Sequence, residues 1–497
     1  MRSHDLFLDH YDEMAETPEE YENIGRLYGI SGPSVFAPLK SIDLASSFPY
    51  DIMHLFFENL VPNLILHWTG KFKSLDQGTG NYQLPAADWV SIGAETASAT
   101  RTLPAAFVGT LPNIAQDGNL YKAEGYAFWI QYVAPIVLKD RLPTKYYKHM
   151  LLIREIILMC VQFNTTTEQL NILQSMIDRW VLDYEKYYYQ YQEVRLPACT
   201  LTIHAILHLP FYIRKTGPLW ASWAFVMERF CGHLIPAVKN RVRPYEHIDY
   251  YVQRRAQMQI VSNIHDLPSL MKPAIKYKLE NGVQMSSRES SYPEFPNIVL
   301  GTPVNNRVQL TTTLQTELTR YFAVICGGLT VQQLKTRIDT NSLIRYARFR
   351  IAGDGDSIRT ADLVARDSMI ARDNSYVRYE LLPDANAAYQ NRVDIPVRET
   401  QYGKLLDIYH VEFTENDDTR KRYLLARIQP CDTNGLDATL PENPVVKYKR
   451  MLSPHIVHLQ TVDAVVGRIQ HDGGWAIVDR SRGGVRTQFV DDGDEFD

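Results

Sequence analysis

One acidic residue, Glu228, stands among apolar and very small residues in the stretch WAFVMERFCG, residues 223–232. On a helix, Ala224 and Cys231 lie about one turn from it, so little bulk covers its carboxylate. A carboxylate that is partly removed from water pairs with a cation, binds a metal ion or stays protonated. Glu228 is therefore a candidate Mg²⁺ ligand. The alternative is a structural ion pair at a helix edge, with an arginine such as Arg229 as its partner.

A basic segment follows directly, in the sequence VKNRVRPYEHIDYYVQRR. Its cationic residues are Lys239, Arg241, Arg243, Arg254 and Arg255. Tyrosines are interleaved with them, and this combination suits a phosphate backbone whose bases stack on aromatic rings. We therefore predict a nucleic-acid-binding segment. The alternative is a solvated helix face.

Two further pairs have the spacing of metal ligands. His204 and His208 lie four residues apart in TIHAILH, which lets two imidazoles share one Zn²⁺. The intervening Glu of H-E-x-x-H is missing and Cys199 is the only nearby thiol, so core or hydrogen-bonded histidines are the favoured alternative. Asp51 and His54 in YDIMH could share a hydrogen bond or a metal ion. A simpler interpretation is that Asp51 caps the start of a helix.

Other enzyme classes have no signature in this sequence. It contains no P-loop, no G-x-S-x-G, no set of kinase motifs and no convincing dinucleotide fingerprint. The glycine-containing run AGDGDS, residues 352–357, fits a turn between strands rather than a phosphate loop that opens a helix.

The elements that must position these residues are helices in the first part of the chain. Apolar residues recur at helical spacing in FPYDIMHLFFENL, YAFWIQYVAPIVL, KYYKHMLLIREIILMCVQF and TEQLNILQSMIDRWVLDYEKYYYQY. Thr165 to Thr167 can cap the last of these. Two more helices are expected on either side of KTGP, residues 215–218, with Glu228 at the edge of the second. A buried stripe is predicted on that helix from Trp220, Trp223, Met227, Cys231, Leu234 and Val238.

From about residue 343 the apolar period changes to two, in runs such as SLIRYARFRI, YGKLLDIYHVEF and RYLLARIQ, which predicts short strands. The fold class is therefore α+β, with a mainly helical N-terminal region followed by a small β-barrel-like domain. The expected divisions are an N-terminal helix and linker (1–45), a helical region (46–260), a connector and helix (261–340), a β-rich domain (341–485) and an acidic tail (486–497).

Composition excludes some classes of protein. With 497 residues the chain can bury more than one core, and its net charge of -5 confines any polyanion site to a local patch. Five cysteines, an odd number with no C-x-x-C, indicate reduced thiols in an intracellular protein. No apolar run approaches the roughly 18 residues that span a bilayer, and the N-terminus lacks a secretion signal, so no membrane partner is expected.

Three stretches, taken together and in this order, resemble the C-terminal half of fungal CACTA (En/Spm-type) transposases. They are FPYDIMHLFFENLVPNLILHWTGKF, TIHAILHLPFYIRKTGPLWASWAFVMERFCGHLIPAVKNRVRPYEHIDYYVQRRAQ and the β-rich run from YGKLLDIYHVEF to WAIVDRS. The combined order of D-x-M-H, then H-x-x-L-H-x-P-x-x-I-R-x-x-G-P, then M-E-R-F is far more specific than any one element. The resemblance covers nearly the whole chain.

The resemblance implies an RNase H-like core in which two Asp and one Glu, with two Mg²⁺ ions, cut and join DNA. Glu228 matches the third acid, on the last helix of a remnant of that core. Asp51 and His54 match a D-x-x-H element beyond the second catalytic Asp. His204, His208, Arg214 and Arg229 match motif positions to which no individual role is assigned. The resemblance also implies a nuclear location, with Mg²⁺ or Mn²⁺ as the cofactor if the protein is active.

The two catalytic aspartates of the family should lie upstream of MRSHD. Two-metal phosphoryl transfer needs several carboxylates to hold ions about 4 Å apart, and Glu228 alone cannot do so. We therefore expect a truncated, transposon-derived, DNA-associated protein that is catalytically incomplete alone, with an upstream transposase fragment or a homo-oligomer as partner. One alternative is a DNA or chromatin interaction protein without nuclease chemistry. A second alternative is a zinc-supported scaffold in which His204 and His208 bind the ion.

Overall fold

A computed structural model describes residues 3–75, 80–239, 242–267, 270, 278–280, 283–353, 355–366, 372–383, 393 and 395–485. Arg241 of the predicted basic segment and the predicted acidic tail, residues 486–497, lie outside the described residues. In the part of the chain that the structure describes, no helix combines the length and the apolar character needed to cross a membrane.

The first half of the chain is built of helices, as predicted. The α-helices are α1 (His4–Glu16), α2 (Tyr21–Tyr28), α3 (Val61–Trp68), α4 (Ala86–Ala99), α5 (Ala123–Phe128), α6 (Ala134–Val137), α7 (Thr144–Cys160), α8 (Thr167–Tyr184), α9 (Leu201–Ile206), α10 (Leu209–Thr216), α11 (Phe225–Leu234) and α12 (Pro244–Ile264). In the described residues three π-helical segments interrupt them: π1 (Met53–Leu60), π2 (Trp129–Val133) and π3 (Glu185–Tyr189). Short 3-10 turns occur at Pro18–Glu20, Thr100–Thr102, Gly118–Leu120, Glu193–Ala198, Leu219–Ser222 and Ile235–Ala237.

Local sequence signals explain where α8 begins and where α10 ends. The Thr166 hydroxyl accepts a hydrogen bond from the Gln169 backbone N–H at 3.3 Å, and the Gln169 side chain accepts one from the Thr166 N–H at 2.8 Å. This reciprocal capping box starts α8 within the predicted threonine run. α10 ends before Gly217, whose φ of 84° lies in a region that favours glycine. The predicted break at KTGP is thus confirmed.

The second half consists mainly of antiparallel strands. The strands are β1 (Lys278–Glu280), β2 (Val283–Met285), β3 (Glu289–Ser290), β4 (Ile298–Asn305), β5 (Ile338–Ile351), β6 (Ser357–Arg359), β7 (Tyr376–Leu381), β8 (Glu399–Thr414), β9 (Arg420–Pro430), β10 (Lys447–Tyr448), β11 (His455–His458), β12 (Val462–Val465), β13 (Gly467–His471) and β14 (Gly474–Val478). The helices among them are α13 (Thr312–Ile325), α14 (Val331–Arg337), α15 (Ala361–Arg366) and a 3-10 turn, Leu459–Thr461. The α+β class is confirmed. β4 falls in a segment that was predicted to be a connector.

Among the described residues, the main sheet contains nine strands and follows the order β11-β9-β8-β5-β4-β3, with β6, β7 and β12 attached beside this path. β9 pairs along one edge of the long strand β8. On the other edge, residues 399–404 of β8 pair with β7 and residues 408–413 pair with β5. The β8–β9 register shifts between Leu405 and Asp407, where a bulge bends a strand. The sheet consequently curls into a half-barrel rather than a closed barrel.

The helical and β-rich halves share one hydrophobic core, which includes residues such as Trp129 of π2 and Ile469 of β13. The contact is close: a Cβ added at Gly467 would come within 2.6 Å of the Leu103 side chain. At the end of the described chain, the Val485 N–H donates to the carbonyl of Val161 at 2.7 Å. The halves are therefore packed against each other through buried apolar surface as well as hydrogen bonds.

Candidate functional site around His54 and Glu228

The side chain of His54 lies among three carboxylates. Its Nδ1 atom hydrogen-bonds to Oδ2 of Asp51. Its Nε2 atom lies 3.5 Å from Oε1 of Glu228 on α11 and 3.6 Å from Oε2 of Glu58 on π1. The fold thus brings Glu228 beside the D-x-x-H element, although 174 positions separate residues 54 and 228.

Asp51 holds the starts of two helical segments together. Its Oδ1 atom accepts hydrogen bonds from the backbone N–H of Met53 at 3.3 Å and of Ala224 at 2.8 Å. Its Oδ2 atom accepts one from the His54 N–H at 3.1 Å. The capping role that the sequence suggested for Asp51 is confirmed at π1. Because Ala224 immediately precedes α11, the same carboxylate also fixes the helix that carries Glu228.

The cluster is open to solvent. The side chains of His54, Glu58 and Glu228 are 49%, 40% and 54% exposed. The expectation that the Glu228 carboxylate is partly desolvated is therefore wrong. The expectation of open space around it holds at Gly232, where an added Cβ would meet nothing within 4 Å.

The predicted buried stripe on this helix is also wrong. Met227 is 63% exposed and Cys231 is exposed, whereas Phe225, at the start of α11, packs into the core. Trp220 lies outside α11, in the 3-10 turn Leu219–Ser222. Helical spacing of apolar residues predicts a face, but it cannot say whether another element covers that face. α11 lies on the surface of the described structure.

Electrostatics favour the charged form of His54. The hydrogen bond to Asp51 is the largest cause that raises the pKa of the imidazole, and partial burial opposes it. The negative charges of Asp51, Glu58 and Glu228 raise the pKa further. A protonated His54 then offsets part of the repulsion among the three carboxylates.

The residues of this cluster do not fit a two-metal centre. Both Asp51 oxygens already accept hydrogen bonds from backbone N–H groups, and one also bonds to His54. Across the described part of the chain, no group of three or more His, Cys, Asp or Glu side chains is placed to hold a metal ion. The cluster is an ion-pair network around one imidazole, with the exposed carboxylates of Glu58 and Glu228 beside it.

Arg229, the next residue on α11, lies in a different environment from Glu228. Its guanidinium donates to Glu124 at 3.3 Å and lines a cavity of about 1160 Å³ between α11 and the half-barrel. Glu380 and Asp463 line the same cavity. Burial is the main cause that raises the pKa of Asp463 to about 6, and the neighbouring charge of Glu380 adds to it. The predicted pairing of Glu228 with Arg229 does not occur among the described contacts.

The described part of the basic segment is exposed. Lys239 precedes α12, and Arg254 and Arg255 lie on exposed positions of that helix. Arg243 pairs with Glu246 at 3.3 Å, and Arg255 donates to the Tyr251 hydroxyl at 3.3 Å. Arg241 lies outside the described residues. Exposure suits both a nucleic-acid surface and a solvated helix face, so DNA binding stays a prediction.

His204 and His208 are not core residues. Their Nε2 atoms lie 3.1 Å apart, His204 is exposed, and His208 is partly buried. The hydrogen-bonded alternative is thus confirmed. Arg214, in the same motif, donates to the Asn171 side chain at 2.8 Å.

Glu58 was missed by the sequence reasoning. It follows His54 by four residues in DIMHLFFE, so helical spacing predicts that the two side chains share a face, and this signal could have identified it.

Comparison of the chain with protein-family models, curated proteins and solved structures found no significant match.

Proposed function

We propose that this chain is a transposon-derived, DNA-associated protein that resembles the C-terminal part of a CACTA transposase. In this proposal Glu228 is the third acid of a DNA-cutting centre that the chain does not complete alone. The observation that carries the proposal is the contact between His54 and Glu228. Two of the three motifs on which the resemblance rests, D-x-M-H and M-E-R-F, meet in space there, as parts of one active site would.

Each side chain of the cluster has a distinct role in this proposal. Asp51 positions the start of α11 through the Ala224 N–H and holds His54 through Nδ1. His54 positions Glu228 and balances its charge from 3.5 Å away. The exposure of Glu228 leaves its carboxylate within reach of DNA or of another polypeptide, as a catalytic group requires.

A centre of this kind needs further acidic side chains beside Glu228. In-line displacement with two metal ions uses several carboxylates, and one Glu cannot organise that geometry. We infer that an upstream transposase polypeptide with the two Asp motifs, or a second copy of this chain, completes the centre. Mg²⁺ or Mn²⁺ then belongs to the completed assembly. The substrate is DNA, the RNase H-like arrangement forms around α11, and the site of action is the nucleus.

A nicking and strand-joining assay with Mg²⁺ or Mn²⁺ tests this proposal. The wild-type chain alone should be inactive, and activity should appear when the upstream polypeptide is added. Glu228→Gln should abolish that activity, whereas the matched control Glu246→Gln, an exposed acid on α12, should leave it unchanged. Activity of the wild-type chain alone would refute the claim that the centre is incomplete. Equal activity of the Glu228→Gln and wild-type assemblies would refute the role of Glu228.

A second candidate function is a DNA or chromatin interaction protein without nuclease chemistry. The observation that favours it is the exposure of α12, on which Ser262 is the one residue described as buried. Arg254, on this helix, has no ion-pair partner among the described residues. The tyrosines Tyr245 and Tyr250 are 84% and 59% exposed, so their rings are available for stacking on bases.

Salt-dependent DNA binding tests this second function. Replacement of Arg241, Arg243, Arg254 and Arg255 by Ala should weaken binding, and each lost phosphate contact should reduce the slope of log K against log salt by about 0.9 on duplex DNA. Glu228→Gln should leave this binding unchanged. Wild-type affinity in the four-residue variant would rule out the basic segment as the DNA contact.

A further inference from the structure

His204 and His208 bring two ring nitrogen atoms close together at the surface. The two rings are nearly perpendicular, with an interplanar angle of 78° and 4.8 Å between their centroids. Their Nε2 atoms lie 3.1 Å apart. Among the described residues, neither ring has another hydrogen-bond partner. Neither ring therefore depends on a second contact that a bound ion would break.

This distance fits two ligands of one metal ion as well as it fits a hydrogen bond. An imidazole nitrogen binds Zn²⁺ at about 2.0–2.1 Å, which places two such nitrogens about 2.9–3.4 Å apart for angles between 90° and tetrahedral. The observed separation lies within that range. In the metal-free protein one Nε2–H donates to the other Nε2, and on metal binding that proton moves to Nδ1 of the same ring, which stays neutral.

The local environment suits a borderline metal ion. His208 is partly buried, and its Nε2 atom lies beside that of the exposed His204. Neutral imidazole suits Zn²⁺, Cu²⁺ and Ni²⁺, whereas Mg²⁺ prefers oxygen ligands. The exposure of His204 leaves room for water in the other coordination positions. Cys199 does not complete a group of three ligands within the described chain.

We propose that His204 and His208 form a surface site for one divalent transition-metal ion of the Zn²⁺ class. The two Nε2 atoms are the protein ligands, and water fills the remaining positions. The site shares no residue with the Glu228 cluster, and it does not depend on the function proposed for that cluster.

Calorimetric titration of the full chain with ZnCl₂ near pH 7.5 tests this site. The wild-type protein should bind one Zn²⁺ per chain at this site. His204→Gln and His208→Gln should each weaken that binding by tenfold or more. Both side chains lie outside the buried core, so these variants should fold, and circular dichroism checks that they do.

The matched control is His265→Gln, which removes an exposed histidine outside both proposed sites and should leave Zn²⁺ binding unchanged. Mg²⁺ should give no heat that depends on His204 or His208. The proposal is overturned if wild-type protein binds no Zn²⁺, or if either single variant binds like wild type. Loss of Zn²⁺ binding in His54→Gln would place the ion at the Glu228 cluster instead and would equally overturn it.

Discussion

Glu95 on α4 clamps the helical half of the protein to the half-barrel. Its Oε2 atom accepts hydrogen bonds from the Arg141 guanidinium at 3.1 Å and from Nδ1 of His471, on β13, at 2.8 Å. The side chains of Glu95 and Arg141 are 21% and 20% exposed, and that of His471 is 6% exposed. The decisive perturbation is Glu95→Gln, which keeps the shape of the side chain and removes its charge.

The size of the effect follows from the pKa of Glu95. Burial raises this pKa, but the hydrogen bonds from His471 and Arg141 outweigh burial and lower it from 4.5 to about 2. Each tenfold change in the acid dissociation constant corresponds to about 1.4 kcal/mol, so the ionised carboxylate stabilises the folded state by about 3 kcal/mol. We therefore expect Glu95→Gln to reduce the free energy of unfolding by about 2–3 kcal/mol at pH 7.

Urea denaturation followed by tryptophan fluorescence measures this loss, and hydrogen exchange at β13 localises it. Because the folded-state pKa is depressed, the contribution is complete above pH 4.5 and is lost as pH falls through about 2. The difference between wild type and variant should shrink over that range. Glu22→Gln, which removes an exposed partner of Arg26, is the control and should change stability by at most about 1 kcal/mol. A Glu95→Gln loss below about 0.5 kcal/mol at pH 7 would refute the clamp.

Three further predictions follow from buried or paired groups. In NMR titrations the pKa of His54 should lie above its ordinary value of 6.5 and should fall in Asp51→Asn, because the hydrogen bond to Asp51 is the largest cause of the rise; an unchanged value would contradict this. Burial lowers the pKa of His149 to about 4, so wild type should lose up to about 3 kcal/mol of stability as pH falls from 6.5 to 4, and His149→Gln should lack this loss in urea melts at each pH. Arg378→Ala removes the guanidinium that lies 3.0 Å from the carboxylate of Asp479, whose side chain is fully buried. The free energy of unfolding should fall by about 3–5 kcal/mol, and a melting temperature equal to that of wild type would show that this ion pair is dispensable.

Period-two patterns predicted the larger strands well. The runs YGKLLDIYHVEF and RYLLARIQ correspond to β8 and β9, which pair along most of their length. β4 escaped prediction because its residues IVLGTPVN stand in a segment rich in Pro, Ser and Asn, where composition favours a loop. In the structure, pairing of β4 with β5 overrides that local preference.

The candidate site was predictable in its parts but not in its geometry. Residue type singled out Glu228, and the D-x-x-H spacing singled out Asp51 and His54. Their contact depends on packing between elements far apart in the chain, which local periodicity does not encode. The same limit hid the clamp from Glu95 to His471, two residues that are 376 positions apart and belong to no motif.

The docking of Val485 onto Val161 has a consequence for biosynthesis. On a ribosome, the partner of Val161 is made 324 residues after it, a delay of roughly 15–65 s at about 5–20 residues per second. During that interval the surface of α4 and α6 that β13 later covers lacks this intramolecular partner. The nascent polypeptide is therefore open to aggregation or chaperone capture until residue 485 has been made.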